Sequence, residues 1–414
     1  MITGTRDSFA DYNDEEIIVP QSASCDDRIS TVGDVLKNLQ KRKDNVNKGG
    51  INCIPFPFPT MSKYLPGIEQ EQFVVVTAGT KIGKSQFSSF LYIYNTLEYC
   101  FTHKDQCSCH IIYFPLEESV SRITERYMSH LLWQLDGMQI SPSDLRSTSI
   151  DNPVPQKALD LLKTKPYQDR LKFFEECIEF DTENFNPTGI RSTCVQYAKK
   201  VGKVISHTIT TKEGEEMDIF DDYIPDDPNH FKIMYLDHLS LIDNEKGMTK
   251  KQSMDKLTEY CVKYLRNRYK YTCVIVQQQA FEQEGLEAIK QKNIMPSLAG
   301  LSDSKYSSRD SNVVLGIFNP NKFGLETWLG YDIKRLGNYA RFVKILAARD
   351  YEGDISFGFF FDGATCDFKE LPKPENVEEL DKVYLRVSNI KKEKEKRRAL
   401  TLTTLISKLW KKIA

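Results

Sequence analysis

The sequence has no long hydrophobic run. Its longest apolar runs, such as Phe73–Val76 and Cys273–Val276, have the length of strands and fall far short of the roughly 20 residues that a helix needs to cross a bilayer. The first residues, MITGTRDSFADYNDEE, are acidic and lack the apolar centre of a secretory signal peptide. These absences argue against a membrane protein or a secreted one. We therefore expect a cytoplasmic protein, in the host cytoplasm if the source is viral.

A strong excess of charge of either sign is also missing, since 56 Lys and Arg face 58 Asp and Glu. Balanced charge does not indicate nucleic-acid binding, but a ring or channel can still concentrate positive charge locally. The C-terminus departs from the balance with NIKKEKEKRR at residues 389–398, followed by the amphipathic ALTLTTLISKLWKKIA. We predict a basic helical tail over residues 371–414, either a solvated helix or a surface for a partner or nucleic acid.

The ten cysteines follow no disulfide framework, so reduced thiols are the better interpretation. One cluster brings together four possible zinc ligands, namely His103, Cys107, Cys109 and His110. Its Cys-x-Cys-His spacing lacks the usual Cys-x2-Cys. A polar turn between a helix and a strand is therefore preferred over a zinc site.

Residues 1–50 differ in pattern from the rest of the chain. The polar, acidic residues 1–27 are predicted to be poorly ordered. From Arg28 to Arg42 apolar residues recur at helical spacing, which predicts an amphipathic helix. The segment KDNVNKGG then reads as a flexible linker.

Residues 51–370 alternate apolar strands with helices. This alternation indicates a mainly parallel sheet covered on both faces, an α/β fold. Leu171–Phe180 is predicted as one of the strands. Residues 201–230 are polar and contain Asp, Pro and Gly, and are predicted as an inserted loop.

A glycine-containing loop joins the strand QFVVVT to a helix that begins at Lys84. The loop comprises Ala78, Gly79, Thr80, Lys81, Ile82, Gly83, Lys84 and Ser85. Glycines let the backbone curl so that successive N–H groups face a phosphate chain, and the helix N-terminus adds its dipole. Lys84 is expected to neutralise the β- and γ-phosphates, and the Ser85 hydroxyl to bind magnesium. The sequence therefore predicts a P-loop nucleoside-triphosphatase that uses ATP and Mg²⁺.

Two carboxylates follow strands at places suited to this chemistry. Asp237 ends the apolar strand KIMYLD and is predicted to help hold the magnesium ion and the nucleotide, although many such aspartates only cap a turn. Glu117 follows the strand HIIYF and is predicted to activate the attacking water. The alternative for Glu117 is a carboxylate that stabilises the start of the helix after Ser119.

Taken together, these segments resemble the ATPase domain of DnaB-type ring helicases, especially the bacteriophage primase-helicases, a branch of the RecA-like fold. The loop has the family's A-x4-G-K-S form. LEESV resembles the segment with the catalytic glutamate, which falls on Glu117. LDHLSLI resembles the segment with the metal-binding aspartate, which falls on Asp237. The resemblance covers about residues 28–365.

Two further roles are implied by this resemblance. CVIVQQQ resembles the strand that ends in a γ-phosphate sensor, which falls on Gln278, or on Gln277 if the register slips by one. FVKILAARDYEGD resembles the strand of the arginine finger, which falls on Arg349 and acts at a neighbour's nucleotide. The alternative for Arg349 is an ordinary arginine paired with Asp350 or Glu352.

The resemblance also implies partners. It predicts a replicative helicase that forms a homo-oligomeric, hexameric ring on single-stranded DNA, with the helix over residues 28–42 docking on a neighbour. Candidate DNA contacts are Lys290, Lys292 and Lys305, in the polar segment 279–309. A primase or a helicase loader is a further possible partner, and a membrane is not expected.

Three departures from the family pattern keep other interpretations open. Ala347 stands where the family has a lysine, and Leu301–Lys305 reads LSDSK instead of the glycine-rich loop. In addition, residues 1–27 are too few for a primase or DnaB-type N-terminal domain. One alternative is a RecA- or KaiC-like DNA-dependent ATPase, a recombinase or regulatory ring without unwinding activity. Another is a degenerate binding subunit or loader.

Overall fold

The computed structural model describes residues 31–148, 153–210, 216–280, 294–301 and 305–413. Its strands are β1 (Cys53–Pro55), β2 (Gly67–Glu69), β3 (Phe73–Ala78), β4 (Ser108–Pro115), β5 (Ile178–Phe180), β6 (Gly202–Thr210), β7 (Glu216–Pro225), β8 (His230–Asp237), β9 (Thr272–Gln278), β10 (Val313–Phe318), β11 (Thr327–Trp328), β12 (Tyr331–Asp332), β13 (Ala340–Ala348), β14 (Ser356–Asp362) and β15 (Asp367–Glu370).

The helices of the described ranges are α1 (Thr31–Asn47), α2 (Lys84–Ser89), α3 (Asn95–Thr102), α4 (Val120–Asp136), α5 (Pro142–Leu145), α6 (Gln156–Leu162), α7 (Lys165–Cys177), α8 (Pro187–Lys200), α9 (Lys250–Tyr260), α10 (Lys305–Asp310), α11 (Ile333–Leu336) and α12 (Val377–Ile413). A π-helical segment, Phe90–Tyr94, joins α2 to α3, so one continuous helical rod runs from Lys84 to Thr102.

Within the described ranges the central sheet has nine strands in the order β15-β14-β13-β10-β3-β9-β8-β4-β5. The six strands from β10 to β5 are parallel to one another, whereas β13, β14 and β15 form an antiparallel extension at one edge. Helices pack on both faces. The predicted α/β fold with a mainly parallel sheet is confirmed.

Strand β3 shows why this sequence makes a two-sided core. All six of its residues are buried. Because successive side chains point to opposite faces, Val74 and Val76 pack with Phe87 and Leu91 of the α2–α3 rod, while Phe73 and Val75 belong to the cluster that includes residues of α8 and α9. A strand buried on both faces reads as a continuous apolar run, which is what FVVV is.

Two elements differ from the prediction. Leu171–Phe180 is mostly the end of helix α7, with only the last residues forming β5. The buried residues Tyr167, Phe174 and Cys177 lie at helical spacing, and this longer pattern outweighs the local strand propensity. The predicted loop over residues 201–230 contains an antiparallel hairpin, β6–β7, in which the β-branched and aromatic residues favoured in strands are interspersed with polar ones.

The two ends of the described chain are helical. Helix α1 covers most of the predicted helix over residues 28–42 and exposes an apolar stripe of Val32, Val35, Leu36 and Leu39. The predicted disorder of residues 1–27 concerns residues outside the described ranges. In the predicted basic tail, α12 begins by burying Leu380, Tyr384 and Val387 against the third core cluster. Among the described residues, no helix is long and apolar enough to span a membrane.

Candidate nucleotide-binding site

The predicted phosphate-binding loop, residues 78–85, lies between the carboxyl end of β3 and the start of α2. Gly83 has a φ of +102°, a left-handed conformation that L side chains rarely adopt, and a Cβ there would lie 3.5 Å from the Phe361 ring. The next residue, Lys84, begins the helix and is almost buried, with 10% of its side chain exposed. The loop thus presents a lysine and a helix N-terminus at the end of a parallel strand, where open α/β sheets bind ligands.

Two cationic side chains donate hydrogen bonds to main-chain carbonyls of this loop. The buried Arg341 of β13 donates from Nε to the Ile82 carbonyl at 2.6 Å, and burial lowers the pKa of Arg341 to about 10. Lys322 donates from Nζ to the Thr80 carbonyl at 2.9 Å. The sequence-based reasoning missed both residues. Arg341 carried a usable signal, because the run ARFVKIL is apolar apart from Arg341 and Lys344, and a charged side chain buried in such a strand requires a specific partner.

Glu117 lies beside the loop. Strand β4 pairs in parallel with β8, with Pro115 opposite Asp237, so the residues that come after both strands emerge side by side. The Glu117 Oε2 atom lies 3.8 Å from Lys84 Nζ and 3.8 Å from His238 Nε2. Its side chain is 48% exposed. The carboxylate therefore faces the loop lysine and solvent together, while Ser119 is the residue that precedes helix α4.

The adjacent carboxylate, Glu118, has a different environment. It accepts two hydrogen bonds from Arg126 Nη2, at 2.6 and 2.5 Å. This pair joins the start of helix α4 to its second turn. Two neighbouring glutamates are thus distinguished by their partners, one facing the loop and one paired with a helix arginine.

Asp237 is buried beneath the loop at the end of β8. Its Oδ1 atom makes no hydrogen bond within the described part of the chain, and Ser85 lies beside its carboxylate. Burial raises the pKa of Asp237 to about 6, and the charge of Lys84 and the neighbouring Ser85 hydroxyl oppose that rise. A buried carboxylate with an unused oxygen beside a hydroxyl fits a hard, oxygen-preferring cation such as Mg²⁺.

The three consecutive glutamines at the end of β9, residues 277–279, form hydrogen bonds with different parts of the structure. Gln278 donates from Nε2 to the Thr80 hydroxyl in the loop at 2.7 Å. The buried Gln277 accepts from the Ser307 hydroxyl of α10 at 2.7 Å. Gln279 donates to Thr77 and to the Ser297 carbonyl. Of the two registers considered for the sensor, the structure places Gln278 at the loop and Gln277 at α10.

Arg349 does not join this group. It comes directly after β13, which runs antiparallel to β10, and the register places Ala348 beside Val313 and Val313 beside Val74. The loop begins at Ala78, four residues further along β3, or roughly 13 Å. Arg349 therefore lies at the amino ends of the parallel strands, whereas the loop lies at their carboxyl ends.

The guanidinium of Arg349 donates to the carbonyls of Ser311 and Arg309 at 3.0 and 3.2 Å. These contacts differ from the pairing with Asp350 or Glu352 considered as the alternative. Two residues earlier, Ala347 packs against the core. Lys344, which was considered as a replacement for the family lysine, forms an ion pair with Asp354 at 2.5 Å.

The remaining candidates lie away from the loop or outside the described chain. Lys290 and Lys292 lie outside the described residues, and Lys305 is the first residue of α10. Of the four residues weighed for zinc, His110 stacks on Tyr197 and His103 ends helix α3. In the described ranges no group of three or more His, Cys, Asp or Glu side chains has the arrangement of a metal site.

Comparison with known proteins identifies the fold. No family model matches the sequence, and no curated protein matches it either. Among solved structures, the chain is similar to the ATPase domain of a helicase, with a TM-score of 0.56 and 13% identity over 83% of this chain and 100% of that chain. It is also similar to a DnaB-like replicative helicase whose interactions with primase have been described, with a TM-score of 0.57 and 12% identity over 83% of this chain and 68% of that one.

A KaiC-like protein from Pyrococcus horikoshii matches with a TM-score of 0.41 and 11% identity, over 77% of this chain and 99% of that chain. The first two structures share the fold of this chain over most of its length. The chain therefore has the RecA-like fold of DnaB-type helicases.

Proposed function

We propose that this protein is a replicative, DnaB-like DNA helicase, which hydrolyses ATP to move along single-stranded DNA as a hexameric ring in the cytoplasm. The observation that carries the proposal is the convergence of Lys84, Glu117 and Asp237 at one edge of the sheet, within a DnaB-type fold. This is the arrangement that phosphoryl transfer to water requires: a cation at the phosphates, a carboxylate for the water and a site for a divalent metal ion.

In this proposal the residues of the loop, Ala78–Ser85, bind the triphosphate through main-chain N–H groups. Lys84 neutralises the β- and γ-phosphates, and Gln278 senses the γ-phosphate through its place beside Thr80. Glu117 Oε2 accepts a proton from the attacking water, and Lys84 and His238 position that carboxylate. Ser85 and Asp237 would hold Mg²⁺, which supplies charge neutralisation at the phosphates when bound.

The ring is inferred from what the single chain leaves incomplete. Arg349 is exposed and remote from the chain's own loop, so in this proposal it completes the site of a neighbouring subunit. The exposed apolar stripe of α1 provides a surface for such a neighbour. A head-to-tail contact of this kind closes into a ring.

Single-stranded DNA is the proposed track, with Lys290, Lys292 and Lys305 as contacts to its backbone. A primase or a helicase loader is a proposed protein partner. The helicase ATPase domain and the helicase with described primase interactions support this assignment as relatives in fold.

Phosphate release with and without single-stranded DNA, unwinding of a forked duplex, and the native mass of the assembly test the proposal together. We expect DNA-stimulated hydrolysis, strand separation and a mass of about six chains. The proposal fails if hydrolysis is indifferent to DNA and wild type behaves like the Glu117→Gln variant.

A second candidate function has the same fold and site but no unwinding, as in a RecA- or KaiC-like ATPase. Two observations favour it: Ala347 removes one cation beside the finger, and Lys344 is engaged by Asp354. Electron microscopy with nucleotide and DNA separates the candidates, since a filament supports the second and a closed ring that unwinds DNA supports the first.

A further inference from the structure

A group of thiols lies at the opposite end of the α2–α3 rod from Lys84. Cys100 sits in the last turn of α3, and Cys107 lies at the end of the short turn that leads into β4. Their sulfur atoms are 3.5 Å apart. Cys109, on β4, lies close enough to Cys100 to influence its pKa. Three cysteines that are seven and two residues apart in sequence thus converge around one sulfur.

The three thiols are not equivalent. The hydrogen bond shared with Cys107 lowers the pKa of Cys100, and the neighbouring thiol of Cys109 and the nearby His103 act in the same direction. The pKa of Cys107 is raised, first by its hydrogen bond to Cys100 and then by burial. Hydrogen bonds to a thiolate favour the charged form, and the thiolate is the nucleophile in cysteine chemistry. Cys100 is therefore the reactive member of the group.

The surroundings permit access by a small oxidant. Cys100 and Cys107 are buried, with 1% and 4% exposure, but the turn directly between them carries the exposed Lys104 and Asp105. The pair thus lies just under the surface.

We propose that Cys100 and Cys107 form a reversible disulfide when the protein meets a hydroperoxide. The Cys100 thiolate attacks the O–O bond of hydrogen peroxide, which leaves sulfenic acid on Cys100 and releases hydroxide. The Cys107 sulfur then attacks the Cys100 sulfur, and the oxygen leaves with a proton as water. In sum, two thiols lose two electrons and two protons, and one peroxide becomes two molecules of water. A dithiol reductant restores both thiols.

Bond formation needs only a local movement. The two sulfurs must approach from 3.5 Å to about 2.05 Å, and the turn over residues 103–106 joins the elements that move. The disulfide would tie the last turn of the rod that begins at Lys84 to the start of the strand that precedes Glu117.

Peptide mapping tests the proposal. Trypsin cleaves after Lys84, Lys104 and Arg122 and so separates Cys100, in residues 85–104, from Cys107 and Cys109, in residues 105–122. The full-length protein is treated with hydrogen peroxide, alkylated and digested without reductant. We expect these two peptides to appear as one linked species that lacks two hydrogen atoms and separates with dithiothreitol. The link should persist in Cys109→Ser and disappear in Cys107→Ser.

Two controls decide between this pair and general oxidation. Among the cysteines that the structure describes, Cys53 is the one that is not buried, so oxidation governed by exposure alone would modify it before Cys100 and Cys107. Cys261 and Cys273 are another pair of buried, neighbouring cysteines, in which the Cys273 thiol donates a hydrogen bond to the main-chain carbonyl of Cys261, and Cys273→Ser should keep the predicted link. The proposal is overturned if Cys53 is fully oxidised before any 85–104 to 105–122 link forms, or if the link survives Cys107→Ser. The readout is chemical, so it stands apart from the ATPase assays.

Discussion

At the carboxyl ends of the parallel strands, the side chains of Lys84, Glu117 and Asp237 lie close together beneath and beside the loop. At the amino ends of the same strands, Arg349 is exposed and is bound only to main-chain carbonyls among its described hydrogen bonds. The carboxyl ends of the strands, here called the carboxyl edge, have the charges and the unused oxygen that a nucleotide and a metal ion require. The amino ends, here called the amino edge, have an exposed cation that lies away from the chain's own nucleotide-binding loop.

In the proposed ring, Arg349 and the loop are two parts of one site that a single chain holds at two places. In a ring, the amino edge of one subunit can face the carboxyl edge of the next, and the exposed stripe of α1 can cover a neighbour. Variants that alter one edge at a time test this division, and the largest loss of turnover is expected from the amino edge.

Arg349→Ala should lower ATP turnover by roughly 10³-fold or more, which is the lower bound for arginine fingers. Nucleotide binding by the isolated subunit should change little, because Arg349 lies away from its own loop. Steady-state phosphate release and nucleotide titration measure the two quantities. Arg335→Ala is the control, since Arg335 is also an exposed arginine but pairs with Asp381; equal losses in both variants would remove the special role of Arg349.

Glu117→Gln should lower turnover by about 10²-fold or more, the usual contribution of a general base, and leave the melting temperature unchanged. Glu118→Gln is its matched partner. That change should retain most of the turnover but lower the melting temperature, because it weakens the charged hydrogen bonds to Arg126. A reversal of these two outcomes would place the base at Glu118.

Gln278→Ala should lower turnover about fivefold, because it removes a hydrogen bond of about 1 kcal/mol to the loop. Thr80→Val removes the other partner of the same hydrogen bond. In a double-mutant cycle the two changes should be non-additive, since either one alone breaks the contact. Strict additivity would show that the Gln278–Thr80 contact has no part in turnover.

A change in stability with pH is expected from His130, away from both edges. Burial lowers the pKa of His130 to about 4, so between about pH 6.5 and 4 the unfolded chain binds a proton that the folded chain does not. Stability should therefore fall as pH falls through this window, by about 3 kcal/mol at full effect. Chemical denaturation at several pH values measures the slope. His130→Asn keeps a donor for the Thr365 carbonyl and should make the slope shallower; an unchanged slope would assign it to other groups.

The carboxyl edge was largely predictable from the sequence. A glycine-containing loop between an apolar strand and a helix has few other uses, and apolar strands that lead to Glu117 and Asp237 bring their ends to the same edge of a parallel sheet. The placement of Gln278 rather than Gln277 at the loop needed the structure, because a one-residue change of register turns a side chain to the other face.

Other features could not be predicted because they depend on contacts between distant segments. The thiol pair at Cys100 and Cys107 requires the return of β4 beside α3. Arg341, on β13, donates to the Ile82 carbonyl of the loop after β3, although β10 lies between these two strands. The hairpin β6–β7 was missed because polar and acidic residues concealed its period of two, and α7 was misread because a window of ten residues was too short to show its helical spacing.

Mixing two inactive variants tests most directly whether the two edges meet between subunits. Lys84→Ala removes the loop cation of its own site and keeps Arg349, whereas Arg349→Ala keeps the loop and removes the finger. Each protein alone should hydrolyse ATP at background rate. When the two are mixed and allowed to exchange subunits, sites with an intact loop and a neighbour's intact Arg349 should form, and part of the DNA-stimulated turnover should return. Turnover that stays at background in verified mixed rings would contradict a site completed by a neighbour.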